Sequence, residues 1–278
     1  MKKRYIIIPI IISFSISTFV FKNCPYNFLY TVYVKTKKIK NISYNGRNLD
    51  VSQLTKVHLD VSNNTGIFLT YGQSNSANAG EPGYNPFFEV YQFLLGYTFK
   101  YEEPSLGATG RGSSVWGMLG DKLIEYGQYE SVIFSNCAFG GKSIEQLNEG
   151  IHFDYLVMNY KMLMKKYGRV DAILYHQGEQ NAKNFENYYN GFSLFLENLS
   201  KEGIDIPIYL ARASYCKGVE SPRLISIQDR LIKDFTQVLS GPNTDLLNNK
   251  MDRYDNCHFS LSGLEKASEM WLESLTAN

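Results

Sequence analysis

The sequence predicts an α/β protein: a three-layer α/β/α sandwich around a central, mainly parallel, five-stranded sheet. Apolar runs of strand length alternate with longer amphipathic stretches from Gly66 to the C-terminus. This alternation is typical of βαβ units, and right-handed crossovers place helices on both faces of a parallel sheet. A composition of 44% hydrophobic and 20% charged residues fits an ordinary globular chain.

The predicted elements follow one another in order along the second part of the chain. Strands are predicted at 67–71, 132–134, 172–175 and 206–210, and helices near 113–127, 153–168, 185–201, 222–239 and 261–275. In open parallel sheets, ligands bind outside the carboxyl ends of the strands. The polar residues that follow each strand are therefore the candidates for a functional site.

The N-terminal 22 residues predict a segment for export. Lys2, Lys3 and Arg4 precede a mostly apolar run that ends at Phe21. Its length lies between a signal-peptide core and a membrane-spanning helix, and no Ala-x-Ala-like cleavage site follows it. By the positive-inside rule we expect a signal-anchor in a bacterial inner membrane, with the rest of the chain outside the cytoplasm. The alternative is a cleaved signal peptide and a secreted or periplasmic protein.

Residues 23–63 predict a polar spacer with short strands, such as 30–34 and 57–61, and residues 64–278 a single domain. A net charge of +1 provides no large basic surface for nucleic acid. The four cysteines include no C-x-x-C pair, so a zinc or redox motif is not indicated. Export permits a disulfide, and Cys216 and Cys257 both follow elements that should end at one face of the sheet. A bond between these two cysteines is one hypothesis and two free buried thiols are the other; the sequence does not decide between them.

The first predicted strand ends in a turn that suits a nucleophile. Gly72 permits a sharp bend, which exposes Ser74 at the strand end with its N–H directed into the site. A serine before a helix is more often only an N-cap. After the second strand, Gly140 and Gly141 permit backbone N–H groups to approach an oxyanion, although an isolated glycine pair is more often a plain loop.

The third strand ends in three polar side chains in close succession. Gln177 offers an amide NH₂ to an oxyanion, and Glu179, an acceptor only when ionised, is interpreted as a brace for neighbouring loops. His176 is more often a structural histidine at such a position than a base. Near the C-terminus, Asp255 precedes His258 by three residues, so its carboxylate can orient the imidazole. His58 and His152 lie in the spacer and in a helix-opening loop, which leaves His258 as the best base.

These residues together resemble the SGNH hydrolase superfamily, in the branch of sialate O-acetylesterases and plant-type acetylxylan esterases. The resemblance covers roughly residues 64–278 and rests on four blocks in order: Gly72 to Asn75 (GQSN), Gly140 and Gly141, His176 to Glu179 (HQGE), and Asp255 to His258 (DxxH).

The resemblance implies a catalytic triad and an oxyanion hole. It makes Ser74 the nucleophile, His258 the general base and then acid, and Asp255 the group that orients the histidine. The oxyanion donors it implies are the N–H of Ser74, the N–H of Gly141 and the side chain of Gln177.

Three further residues are expected to bind substrate or brace the site. These are Asn75, Glu179 and Arg212, the last at the end of the fourth strand, where a brace is favoured over a carboxylate contact. The aromatic-rich segment from Glu81 to Ser114 is expected to form either one wall of the cleft or part of the core.

The resemblance implies removal of O-acetyl groups from a carbohydrate through an acetyl-enzyme, without metal or cofactor. Sialic acid and cell-envelope or capsular glycans are the candidate substrates, and the oligomeric state is not predicted. The same triad suits a polysaccharide O-acetyltransferase, which is the alternative. A third interpretation, a glycan-binding module without catalysis, is disfavoured by the complete set of Ser, His and Asp.

Overall fold

The computed structural model describes residues 41–44, 47–51 and 54–277. The chain divides into two compact units, Met1–Gln53 and Leu54–Asn278. In the first unit, β1 (Asn41–Tyr44) and β2 (Arg47–Asp50) pair antiparallel. The predicted export segment, residues 1–22, and the predicted strand at 30–34 lie outside the described residues. Among the helices that are described, none has both the length and the apolar character needed to cross a membrane.

The second unit contains an eight-stranded sheet, in the order β10-β9-β8-β4-β7-β5-β6-β3. Its strands are β3 (Lys56–Val57), β4 (Thr65–Gly72), β5 (Val90–Leu94), β6 (Tyr97–Lys100), β7 (Ser131–Asn136), β8 (Ala172–His176), β9 (Ile208–Arg212) and β10 (Val238–Asn243). The six strands from β10 to β5 are parallel, whereas β6 and β3 are antiparallel to their neighbours. The mainly parallel sheet predicted from the sequence is confirmed.

Within the described residues, six α-helices accompany the sheet. They are α1 (Trp116–Glu125), α2 (Ile144–Leu147), α3 (Gly150–Tyr167), α4 (Tyr188–Lys201), α5 (Pro222–Asp234) and α6 (Leu261–Thr276). Helices α1 and α6 pack against each other and against β7 and β10 respectively. Helix α3 packs on β4, α5 packs on β9 and β10, and α4 lies between α2 and α5. The α/β class with helices flanking the sheet is thus the one that the sequence predicts.

The sheet has more strands than the five expected from sequence. Strands β5 and β6 form a hairpin whose turn residues, Leu95 and Gly96, both have positive φ. This hairpin lies inside the segment 81–114, for which no strand was predicted. The helix predicted over 222–239 ends at Asp234, and the chain re-enters the sheet at Val238 because Phe235 adopts an extended conformation.

Strand β4 occupies the point at which the order of the sheet reverses. After β4 the chain forms β5 and β6, returns to β7 beside β4, and then crosses to β8 on the other side of β4. Such a switch point leaves a crevice outside the carboxyl end of the central strand. All eight residues of β4 are buried, so the strand is a rigid support for the turn that follows it.

Gly72, the last residue of β4, is required by this close packing. Its φ is +134°, and a Cβ at this position would lie 2.0 Å from the carbonyl oxygen of His176 on β8. The same oxygen accepts a hydrogen bond from the N–H of Gln73 at 3.0 Å. A side chain at position 72 would therefore push β4 and β8 apart at the end where the turn begins.

We expect Gly72→Ala to lower the free energy of unfolding by more than about 3 kcal/mol, because steric overlap adds to backbone strain. The matched control is Gly127→Ala. Gly127 also has positive φ (+78°), but nothing lies within 4 Å of its missing Cβ. That variant should lose only about 1 kcal/mol, from the backbone alone. Urea denaturation of both variants measures the difference, and equal losses would contradict the steric argument.

Candidate active site

The nucleophile candidate lies in a tight turn beyond β4. Ser74 is 9% exposed, and the carbonyl of Gln73 accepts hydrogen bonds from the N–H groups of Ser76 and Ala77. The Ser76 carbonyl in turn accepts the indole N–H of Trp116 at 2.6 Å and the Asn136 amide at 3.1 Å. Hydrogen bonds to the core thus hold the turn in place.

Three residues predicted from the sequence meet at this turn. The Nε2 atom of His258 lies 3.0 Å from Ser74 Oγ, and its Nδ1 atom lies 2.6 Å from Asp255 Oδ2. The other carboxylate oxygen, Asp255 Oδ1, accepts the N–H groups of His258 at 2.7 Å and Cys257 at 3.0 Å. Partial burial raises the pKa of Asp255, but these hydrogen bonds outweigh it and hold the pKa below its usual value. The ionised carboxylate fixes a proton on Nδ1, which leaves Nε2 to accept the serine proton.

The loop that carries Asp255 and His258 is closed at its base. Arg253 and Phe259 form an antiparallel bridge, and the Arg253 guanidinium lies over the Phe259 ring at 4.0 Å from its centroid. Although its side chain is fully buried, Arg253 donates to three main-chain carbonyls, those of Leu247, Cys257 and Thr244, at 2.7, 2.7 and 2.8 Å. A buried cation with this set of acceptors immobilises the loop. The sequence analysis missed Arg253 because an arginine near a surface loop gives no sign of burial.

Asn75 connects the serine turn to the histidine loop. Its amide Nδ2 donates to Glu179 Oε1 at 2.7 Å and to the carbonyl of Cys257 at 3.2 Å. The Cys257 carbonyl therefore accepts from both Asn75 and Arg253, one residue before His258. Burial raises the pKa of Glu179, and the hydrogen bond from Asn75 partly opposes that effect. Asn75 and Glu179 lie where braces would act, between the two catalytic segments.

Backbone N–H groups lie around Ser74 in an arrangement suited to an anion. The Ser74 N–H has no acceptor among the described residues. A Cβ on Gly140 would lie 3.8 Å from that of Ser74, so the glycine pair comes close to the serine. The Gly140 N–H donates to Thr109 Oγ1 at 2.6 Å, whereas that of Gly141, which has φ +69°, has no acceptor in the described part of the chain. Thr109 was not predicted from the sequence.

Gln177 is a correction to the expected oxyanion hole. Its side chain is completely buried, and its Nε2 donates to Asn181 Oδ1 at 2.7 Å and to the Lys142 carbonyl at 3.2 Å. Asn181 Oδ1 is fixed as an acceptor because it also receives the N–H of Ile144 at 2.9 Å. Both amide hydrogens of Gln177 thus have acceptors inside the protein, and we do not retain it as an oxyanion donor.

Within the described part of the chain, the side chains of Arg212 and His176 have structural partners and form no hydrogen bond with Ser74. Arg212 Nη2 donates to the Gly241 carbonyl at 2.6 Å, and its Nη1 lies 3.3 Å from Asp229, an arrangement that braces β9, β10 and α5. His176 is fully buried with Nε2 at 3.2 Å from Thr244 Oγ1, and burial lowers its pKa to about 3. A histidine held neutral in the core suits packing rather than proton transfer.

The aromatic residues of the segment 81–114 divide between core and surface. Tyr91 and Trp116 are buried, whereas Phe87 is 86% and Phe88 46% exposed. A further aromatic ring, Tyr254, flanks the site. It is 52% exposed, its ring centroid lies 6.3 Å from that of His258, and its hydroxyl donates to the Ala79 carbonyl at 3.1 Å. Tyr254 directly precedes Asp255, but nothing in its sequence context distinguishes it from any other loop tyrosine.

Of the two alternatives left open by the sequence, the structure has the disulfide between Cys216 and Cys257. It joins the loop after β9 to the residue directly before His258. The N–H of Lys217 also donates to the Asn256 carbonyl at 2.7 Å, so a hydrogen bond reinforces the covalent link. Cys137 is a buried free thiol.

Comparison with known proteins identifies the family of this chain. The model of the family described as carbohydrate esterase, sialic acid-specific acetylesterase, matches residues 108–276, more than half of the chain. A search of curated protein sequences finds no significant match.

Solved structures with similar folds have low sequence identity to the chain. A protein from Arabidopsis thaliana is 17% identical (TM-score 0.59; 76% of this chain and 99% of that one are covered). NanS is 12% identical (TM-score 0.53; 78% and 98% covered). A carbohydrate acetylesterase from Xanthomonas citri is 15% identical (TM-score 0.50), with 77% of this chain but only 57% of the Xanthomonas chain covered.

We expect the Cys216→Ser/Cys257→Ser variant to lose about 2–4 kcal/mol of unfolding free energy, because the disulfide closes a loop between positions 41 residues apart. Dithiothreitol should destabilise the wild-type protein by a similar amount and leave the double variant unchanged. Urea denaturation with and without reductant measures both effects. The expectation is wrong if free-thiol titration shows that the reductant breaks the bond and the unfolding free energy of the wild-type protein does not change.

Proposed function

The chain belongs to the carbohydrate esterase family of sialic acid-specific acetylesterases, and from this premise we propose that it removes O-acetyl groups from a carbohydrate with Ser74 as nucleophile. The members of this family are carboxylic ester hydrolases, so the chain is an enzyme of that class. The observation that supports the triad is the continuous pair of contacts from Asp255 through His258 to Ser74, at 2.6 and 3.0 Å.

The proposed reaction begins with attack of Ser74 Oγ on the acetyl carbonyl carbon while His258 Nε2 takes the serine proton. The imidazolium, stabilised by Asp255, then protonates the sugar oxygen, and the C–O bond of the ester breaks. The sugar alcohol leaves and an acetyl-enzyme remains. Water attacks this intermediate with His258 again as base, and acetate leaves as the serine recovers its proton.

The oxyanion formed in each step requires fixed hydrogen-bond donors. We assign this role to the N–H groups of Ser74 and Gly141, because neither has an acceptor among the described residues. Backbone donors of this kind need no reorganisation when charge develops on the carbonyl oxygen. Asn75 and Glu179 act as positioning residues, since they contact the segments on which Ser74 and His258 are carried.

The proposed substrates are O-acetylated sialic acid and O-acetylated envelope or capsular glycans. Family membership supports water over a second sugar as the acyl acceptor, so we propose hydrolysis rather than acetyl transfer. The half-exposed ring of Tyr254 beside His258 suits a sugar leaving group, because aromatic rings present an apolar face with a polar edge.

We also propose that the enzyme acts outside the cytoplasm. The Cys216–Cys257 disulfide supports this location, because disulfides persist in oxidising compartments. The basic and apolar residues from Met1 to Phe21 support an export signal, retained as a membrane anchor or removed.

Substitution of the triad should abolish activity without unfolding the protein. We expect Ser74→Ala and His258→Ala to lower kcat on an aryl acetate by about 10⁴-fold or more, and Asp255→Asn by about 10³–10⁴-fold. Continuous spectrophotometric assays measure the loss, and melting temperatures within a few degrees of wild type serve as the control. A Ser74→Ala protein with wild-type turnover would refute the mechanism.

The proposed location has a separate test. We expect a full-length chain expressed in a Gram-negative bacterium to resist added protease in intact cells, where the outer membrane excludes the protease, and to be digested in spheroplasts, where the protease reaches the periplasmic face. N-terminal sequencing of the recovered protein distinguishes retention of Met1 to Phe21 from its removal. Protection of the catalytic domain from external protease, with a periplasmic marker digested, would place it in the cytoplasm and contradict the proposal.

A further inference from the structure

A pocket of about 660 Å³ lies between the segment 83–88 and helices α1 and α6. Two phenylalanines line it, Phe87 with 86% and Phe88 with 46% of its surface exposed. Single exposed apolar side chains are ordinary, but two neighbours on a concave surface indicate a binding site. Neither Ser74 nor His258 lines this pocket, so the catalytic mechanism does not account for it.

A buried carboxylate holds the aromatic pair in place. Asp121 on α1 is 5% exposed and accepts the N–H of Phe87 at 2.8 Å, the N–H of Phe88 at 3.0 Å and the hydroxyl of Tyr84 at 2.6 Å. The rings of Tyr84 and Phe87 also make an edge-on contact, with centroids 6.1 Å apart. The backbone that carries the two rings is therefore pre-organised, which lowers the entropy that a ligand must overcome.

The pocket lies next to the catalytic loop along the chain. Leu261, which lines it, is three residues after His258, so their Cα atoms are at most about 11 Å apart. Glu81 ties the two walls together, because its carboxylate accepts the N–H of Leu261 at 2.9 Å and its own N–H donates to the Phe259 carbonyl at 2.8 Å. A short oligosaccharide can span this distance.

The polar groups of the pocket define the ligand chemistry. Glu125, Ser262 and Glu265 line it together with Lys122, which is paired with Glu269 at 2.8 Å. Within the described residues, Glu125 and Glu265 have no ion-pair partner, so the pocket is acidic. Aromatic faces next to carboxylates suit sugars, because rings contact the C–H faces and carboxylates accept from hydroxyls. The same carboxylates repel an anionic chain or an anionic membrane.

We propose that the Phe87 pocket is a second carbohydrate-binding site, which holds a neutral segment of the glycan chain whose O-acetylated sugar lies at Ser74. This inference rests on the proposed function and specifies its substrate as an oligomeric or polymeric glycan. The enzyme then prefers a chain over a single sugar, because the distant residues add binding energy at the pocket.

The test compares kcat/KM on O-acetylated hexasaccharides with that on the corresponding O-acetylated monosaccharides. The probes are the hexamers of xylose, N-acetylglucosamine and α2,8-linked sialic acid. We expect wild-type enzyme to favour at least one neutral hexamer over its monomer by about tenfold, mainly through KM. Phe87→Ala/Phe88→Ala should abolish this gain and leave activity on an aryl acetate unchanged.

Three controls make the result specific. Phe87→Trp, which keeps an aromatic face, should retain the gain. Tyr126→Ala removes a ring that is 64% exposed at the end of α1 and does not line the pocket, so it should have no effect. Melting temperature and solution mass should be unchanged in Phe87→Ala/Phe88→Ala, because an exposed ring contributes little to folding.

The inference is overturned if no neutral hexamer is preferred over its monomer, or if the double variant keeps that preference. It is also overturned if the sialic acid hexamer alone has a higher kcat/KM than its monomer. Loss of a dimer in the double variant would instead identify the pocket as an interface between copies of the chain. Failure of the proposed function is distinct, since the wild-type enzyme would then release acetate from aryl acetate but from no carbohydrate of any length.

Discussion

The structure depends on one amide group, that of Asn75, for the alignment of two segments 184 residues apart in sequence. Its two donated hydrogen bonds reach Glu179 beyond β8 and the Cys257 carbonyl beside the histidine. The serine turn is held by the close packing of β4 on β8 at Gly72 and by the hydrogen bond from the Trp116 indole to the Ser76 carbonyl. Without this link, Ser74 and His258 would be held only by two separate sets of contacts, and proton transfer is sensitive to displacement of one residue relative to the other.

This alignment is built from charged groups that are costly to bury. Arg253 is almost fully buried, and Glu179 accepts only one hydrogen bond from a side chain, with its Oε2 atom lacking a partner. Removing either partner of such a set leaves an uncompensated charge in a low-dielectric interior. These buried groups therefore fix one geometry of the site at a cost in unfolding free energy. This is expected where the distances between the side chains of a site must be held closely.

Much of this site could be predicted because the position of a strand end follows from sequence pattern. Ser74 and His258 each stand beside a clear apolar element, and Cys216 and Cys257 could be paired because both elements end at one edge. The direction of a side chain after a strand ends does not follow from pattern. Gln177 therefore turned inward to Asn181, while Arg253 and Thr109, in unremarkable loops, were missed. The β5–β6 hairpin escaped prediction because its turn conformation, with two residues at positive φ, is not apparent from the order of apolar residues.

Because Asp121 anchors the backbone at Phe87, substitutions at positions 87 and 88 can occur without substitutions at the site of Ser74 and His258. Ser74 lies beyond the end of the buried strand β4 and His258 in the loop before α6, whereas the aromatic pair is attached to helix α1 through backbone N–H groups. These hydrogen bonds are donated by the main chain, so they do not depend on which side chains stand at positions 87 and 88. Related sequences can therefore carry other residues at positions 87 and 88 and, on our proposal, bind a different polymer. The segments that carry Ser74 and His258 need not change with them.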